Sequence, residues 1–295
     1  MPRIKVNGIL LFYTVYADGS QTEELSPTKS TMLVYHGGPG VVDHQIEIPF
    51  WSQFAVGDLQ VVFVDHRGNG QSEDGDPASW TIEQCAEDIN GLINSLGITK
   101  PIVAGISWGG YVVQRFLCKY PQLPCAAILF NTEAKVDFAA RKAAFTRVAN
   151  LNIAELAWED DNDPSEANDR RYFDACVPYF SANPLTLTAP RRVNWDMRLR
   201  YITNEHGKFD FREALKSVQC PILQVAGDDD PVHPVVCAEE TAECIPKQYR
   251  NLVRLAKAGT PAYHDQPQAA ADAVNKFLSE TLEFDPTTAL RIEFS

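Results

Sequence analysis

The stretch VAGISWGGYVVQRF, residues 103–116, decides how the rest of this chain is read. An apolar, β-branched run enters it and a helical pattern leaves it. Gly105, Ser107 and Gly109 form G-x-S-x-G at the join. A serine placed there stands on a tight, strained turn between strand and helix, and neighbours without side chains let the chain pack that closely. A hydroxyl presented in this way is suited to nucleophilic attack on an acyl group. The bare pattern is weak evidence, and its strand–turn–helix setting is what makes it specific.

The same rhythm extends along the chain. Short runs rich in β-branched residues recur at TMLVYH (31–36), VVFVDH (61–66), PIVAGIS (101–107), CAAILF (125–130), PILQVAG (221–227) and NLVRLAK (251–257). They are nearly all apolar rather than alternating, as in strands buried on both faces of a parallel sheet. Helical patterns separate them. In the clearest, Ile82, Cys85, Ala86, Ile89, Leu92, Ile93 and Leu96 share one face, behind a Thr81/Gln84 capping box. This alternation predicts an α/β fold with a doubly wound, mostly parallel sheet. The rhythm breaks from about Lys135 to Val218, a polar and aromatic segment too long for a bare loop. The expected organisation is therefore a core over 1–134 and 219–295, interrupted by a mainly helical cap over 135–218.

A second motif, HGGPG (36–40), directly follows TMLVY. Glycine-rich backbone beyond a strand can turn N–H groups toward a developing oxyanion. The natural donors are Trp108, just after the serine, and Gly37 or Gly38. His36 is read as a scaffold histidine of that loop. HGGPG, then DHRGNGQS (65–72), then GISWGG together resemble the α/β-hydrolase superfamily, and within it the prolyl aminopeptidase (proline iminopeptidase)-like branch. The resemblance covers about 30–130 and 215–282, the part that would form the α/β-hydrolase fold. That branch holds peptidases, esterases, lactonases and biosynthetic members, so it does not fix a substrate.

The fold's chain order of Ser, acid, His and the branch's G-x-x-D-P pattern place the acid at Asp230 in GDDDPVHP, with Asp229 in reserve. The branch's histidine falls seven residues before the proline that opens the last helix. Counting back from Pro267 gives Thr260, whose hydroxyl cannot serve as a general base at neutral pH. His264 is the remaining base candidate in LAKAGTPAYHDQP (255–267). Two readings stay open here. Either TPAYH forms a wide turn that carries His264 between Asp230 and Ser107, or His264 packs outside the pocket. His36 and His66 belong to loop motifs, and His44 and His206 have none. His233 follows Asp230 by three residues on the same loop and is not expected to bridge that carboxylate to Ser107.

Composition limits the partners. A net charge of −13 argues against nucleic acid and repels anionic membranes. Seven scattered cysteines without a CxxC pair suggest free thiols in a reducing compartment, and no apolar run reads as a signal peptide or membrane span. A cytoplasmic location follows as the expectation, with the oligomeric state unknown. Three adjacent aspartates on one loop rarely converge on an ion, so no metal or cofactor is expected. The expected function is a serine hydrolase of a small ester, lactone or amide, with catalytic residues Ser107, Asp230 and His264. The alternative is a non-hydrolytic isomerase, cyclase or lyase, or a ligand binder, because Thr260 stands at the usual histidine position.

Overall fold

The computed structural model describes residues 2–183 and 192–282. The expected cap and second core spans also take in 184–191 and 283–295, which lie outside the described residues. Among the described residues nine strands form one sheet: β1 (Arg3–Val6), β2 (Ile9–Ala17), β3 (Ser20–Thr22), β4 (Ser30–Tyr35), β5 (Leu59–Val64), β6 (Ile102–Ile106), β7 (Ala126–Phe130), β8 (Ile222–Gly227) and β9 (Arg250–Leu255). Their order is β1-β2-β5-β4-β6-β7-β8-β9, with β3 paired to β2. Strands β4 to β9 run parallel, while β1, β2 and β3 pair antiparallel. The antiparallel corner is turn chemistry. Asn7-Gly8 and Asp18-Gly19 all take positive φ, which two-residue hairpins require, and join β1 to β2 and β2 to β3.

Helices cover both faces of the sheet: α1 (Ile48–Trp51), α2 (Ile82–Leu96), α3 (Trp108–Lys119), α4 (Phe138–Val148), α5 (Leu151–Asn162), α6 (Glu166–Cys176), α7 (Trp195–Asn204), α8 (Arg212–Leu215), α9 (Val235–Cys244), α10 (Ala262–Asp265) and α11 (Pro267–Leu282). Helix α2 shows how pattern becomes packing. Ile82, Cys85, Ala86, Ile89, Leu92 and Ile93 are buried, and Leu96 is half-buried at the edge. Each large apolar side chain among them contributes about 1.5–3 kcal/mol. Only half of the expected capping box forms. Thr81 Oγ1 accepts the Gln84 N–H at 3.1 Å, but the Gln84 amide turns to Asp88 instead. Gly97, at φ 65°, closes the helix in the left-handed conformation.

Two apolar clusters fill the two sides of the sheet. One is built on α2 and α3, the other on α1 and α11. Helices α4 to α8 all fall between β7 and β8. A third cluster, Phe145, Ala154, Ala157, Tyr172 and Cys176, binds α4, α5 and α6 to one another. All seven cysteines are free. No helix among the described residues is long and apolar enough to cross a membrane.

Candidate active site

Ser107 sits between β6 and α3 with φ 52° and ψ −120°, a conformation that costs about 1–3 kcal/mol for a residue with a side chain. Its N–H donates to the Phe130 carbonyl at 2.9 Å, which fixes the turn against β7. The flanking glycines are sterically required. A Cβ on Gly105 would lie 2.5 Å from the Gly109 carbonyl oxygen, and one on Gly109 would run into the Tyr35 carbonyl. Gly37 is pressed against the serine from the other side, its ideal Cβ position 3.0 Å from Ser107 Cβ.

The Ser107 hydroxyl meets His233. Ser107 Oγ and His233 Nε2 are 2.9 Å apart, and His233 Nδ1 lies 2.7 Å from Glu133 Oε2. Tyr111 donates its hydroxyl to the other carboxylate oxygen, Glu133 Oε1, at 2.6 Å. With both oxygens of an acceptor-only carboxylate engaged, the imidazole proton belongs on Nδ1 and the Nε2 lone pair faces the serine. That is the tautomer a proton acceptor needs. Burial pushes the His233 pKa down, but the charge and hydrogen bond of Glu133, with Asp230 behind them, more than offset it, and the net shift is upward. Both side chains are almost fully buried.

The topology explains the meeting. Strands β6, β7 and β8 are consecutive neighbours in the sheet and run parallel. Ser107, Glu133 and His233 follow their carboxyl ends in turn, so three adjacent strands deliver the three side chains to one edge. Asn131, at φ 46°, turns the chain out of β7, and the Gln114 amide holds the Glu133 carbonyl at 3.1 Å. On the next loop, Asp230 Oδ1 accepts the N–H groups of Val232 and His233, both at 2.8 Å. This aspartate-built turn aims His233 at the serine.

Of the expected grouping of Ser107, Asp230 and His264, neither Asp230 nor His264 is placed to engage the Ser107 hydroxyl, which meets His233 instead. Asp230 is fully buried and holds backbone N–H groups and the Asn131 amide (2.8 Å), not an imidazole ring. Burial raises its pKa, opposed by His233, these hydrogen bonds and Thr260. His264 lies half-buried on α10, outside the walls of the cavity that Ser107 faces. The turn before it is not wide. Thr260 N–H donates to the Phe180 carbonyl at 2.6 Å, and the Gly259 N–H to the Asp265 carboxylate at 2.8 Å. The single turn of α10 then points Tyr263 at Glu47 (2.7 Å). Thr260 itself lines the cavity. Its buried hydroxyl lies near Asp230 without closing a hydrogen bond of sound geometry.

The other candidates have structural partners. Asp229 is half-buried and pairs with Arg147, while Asp228 pairs with Arg254. His36 is buried against the Gly37 carbonyl and His44 against Asp65, while half-buried His206, at the cavity wall, pairs with Asp161. Sequence reasoning passed over Glu133 and dismissed His233 because it tested that histidine only against the carboxylate on its own loop. The available signal was that NTEA and DDPVHP each follow an apolar strand as directly as the serine does.

The cavity has a volume of ≈ 150 Å³ and is mostly apolar, with Gly37, Gly38 and Trp108 beside the serine. Three charged side chains also line it: Glu47 from the core, and Arg141 and Arg198 from α4 and α7. Burial raises the Glu47 carboxyl to about 7, only partly opposed by the Tyr263 hydroxyl that donates to it at 2.7 Å. The serine hydroxyl thus meets an oriented imidazole at the wall of a mostly apolar cavity that Gly37, Gly38 and Trp108 also line.

Sheet, elbow and loop motifs together define an α/β-hydrolase fold. The chain belongs to the alpha/beta hydrolase family, whose model matches residues 33–273. It is 32% identical over 262 residues to the proline iminopeptidase PfmaB of Pestalotiopsis fici, covering 84% of this chain and 88% of that protein. It is 25% identical over 246 residues to a bifunctional esterase/perhydrolase of Acinetobacter calcoaceticus, covering 75% and 80% respectively. Among solved structures, an alpha/beta hydrolase enzyme from a Medee basin deep-sea metagenome library superposes with a TM-score of 0.72 at 18% identity, covering 99% of this chain and 100% of its own. The last likeness is one of fold. The chain is thus an α/β-hydrolase-fold protein whose relatives include proline iminopeptidases and esterases.

Proposed function

We propose that the protein is a serine hydrolase that cleaves a small ester, lactone or amide through an acyl-enzyme, using Ser107, His233 and Glu133. The observation that carries this reading is the continuous hydrogen-bonded line from Ser107 Oγ through His233 to Glu133, at 2.9 and 2.7 Å. Ser107 Oγ attacks the substrate carbonyl as its proton passes to His233 Nε2. The tetrahedral oxyanion is held by the N–H groups of Trp108 and of the Gly37–Gly38 loop. Collapse expels the leaving group, which takes the proton from His233. A water activated by the same nitrogen then releases the acid and regenerates the serine. Glu133 orients the imidazole and balances the imidazolium. Helices α4 to α8 act as a cap that closes the cavity over the serine, and no metal or cofactor enters any step.

The aminopeptidase version of this chemistry receives no support from the cap. Grip on a substrate amine would use cap carboxylates facing the cavity, yet Glu155, Glu159 and Glu166 are exposed and paired with Lys142, Arg171 and Arg170. The case for a non-hydrolytic enzyme or a binder rested on a missing base, and His233 occupies that place. The test is intact-mass spectrometry after rapid mixing with p-nitrophenyl acetate. An acetyl group on Ser107 that turns over, and is absent in Ser107→Ala, is the expected result. Turnover that persists in Ser107→Ala would end this reading.

A further inference from the structure

The cavity wall contributed by α4 and α7 is charged, although arginine is among the residues least often buried. Arg141 is only 3% exposed. One of its terminal nitrogens pairs with Asp161, the other donates to the Tyr172 hydroxyl at 2.6 Å, and its Nε–H has no partner among the described residues. Arg198 grips Asp169 side-on, Nε at 3.0 Å and Nη2 at 2.7 Å, with its guanidinium 5.0 Å over the Phe173 ring. No acceptor meets its Nη1 among the described residues. Asp161 and Asp169 do not line the cavity, whereas both arginines do. The aspartate partners of the two arginines are therefore recessed behind them, and each guanidinium is held rigidly with donors unused.

Rigid, weakly hydrated guanidinium groups with free N–H donors are suited to gripping carboxylates. A purely structural ion pair has no need to present its cation to the cavity where the serine acts. We propose that Arg141 and Arg198 form a carboxylate-binding subsite, and that the substrate is a small apolar ester, lactone or amide bearing a carboxylate remote from the bond Ser107 attacks. This rests on the hydrolase reading above and narrows its substrate class. The apolar walls supplied by Val177, Phe180 and Val232 accommodate the carbon chain between the two ends.

The test compares p-nitrophenyl hexanoate with the mono-p-nitrophenyl ester of adipic acid, which differs by a carboxylate for the terminal methyl. Hemi-esters from succinate to suberate scan the chain length. The wild-type protein should prefer its best hemi-ester by about 10- to 100-fold in kcat/KM, the value of one or two charge-assisted hydrogen bonds. Arg198→Met should collapse that preference ratio toward one, and Arg198→Lys should keep part of it. Because Arg198→Met strands the buried Asp169, the double variant Arg198→Met/Asp169→Asn repeats the measurement with the charge rebalanced. A wild-type preference ratio near one at every chain length, with hexanoate cleaved normally, would overturn the subsite while leaving the hydrolase reading intact. If no ester is cleaved, calorimetry with adipate on the wild type and on Arg198→Met decides the subsite separately. Binding lost in the variant supports it, and equal or absent binding in both overturns it.

Discussion

Replacing Glu133 by glutamine probes the least expected member of the site. Glu133 Oε1 accepts the Tyr111 hydroxyl at 2.6 Å and Oε2 faces His233 Nδ1 at 2.7 Å. If the glutamine carbonyl keeps the Tyr111 bond, its amide N–H₂ faces Nδ1 and forces the imidazole lone pair there. The proton then moves to Nε2 and confronts the serine, so the base is blocked by the wrong tautomer. The corresponding aspartate-to-asparagine change in a known serine protease costs about 10⁴ in kcat, or about 5 kcal/mol of barrier. The charge of Glu133 is also the largest influence holding the His233 pKa up. The acid limb of kcat/KM, where neutral His233 is lost on protonation, should therefore lie above 6.5 in the wild type and move to lower pH in Glu133→Gln. Steady-state turnover of p-nitrophenyl esters against pH reads both effects, and Asp230→Asn serves as the control. The reasoning is refuted if Glu133→Gln keeps nearly full activity while Asp230→Asn loses it with an unchanged melting temperature.

Three further perturbations follow from the same geometry. Thr260→Val replaces an unsatisfied buried hydroxyl with a methyl and should leave the melting temperature unchanged or raise it, since an orphaned polar group costs about 1–3 kcal/mol. A large loss of turnover in that variant would mean that Thr260 touches the chemistry. Glu47 resists ionisation in the folded state, so its contribution to stability is complete below about 4.5 and is lost as pH rises through about 7. Denaturant titrations of Glu47→Gln should remove about 3 kcal/mol of that decline between pH 4 and pH 8, and a decline as steep as in the wild type would count against the assignment. Gly105→Ala drives a methyl to within 2.5 Å of the Gly109 carbonyl and should destabilise by about 1–3 kcal/mol while lowering labelling of Ser107. A melting temperature equal to the wild type would show that the elbow tolerates a side chain.

What the sequence disclosed followed from range. The elbow could be read because strand, turn, serine and helix lie within residues 102–119, and the parallel strands because their apolar runs are local. The face of α2 was legible for the same reason, its period being set by residues within fifteen positions of one another. The proposed base was not. It depends on β6, β7 and β8 being spatial neighbours, a relation among segments spread over residues 102–227. Without that relation, His233 could be paired only with Asp230, whose carboxylate is spent on the backbone of its own loop. Thr260 lines the cavity, and the imidazole beside the serine comes from another loop, which only the packing shows. The charged cavity wall was hidden too, because Arg141 and Arg198 are separated in sequence and meet the cavity only when α4 and α7 fold over it.

The most direct measurement is the rate at which a fluorophosphonate labels Ser107 near neutral pH in the wild type, His233→Gln and His264→Gln. Labelling reports nucleophile activation without requiring the substrate. The account predicts fast labelling in the wild type and in His264→Gln, and collapse by several orders of magnitude in His233→Gln. Labelling that survives in His233→Gln and fails in His264→Gln would return the base to α10 and contradict the geometry of the site.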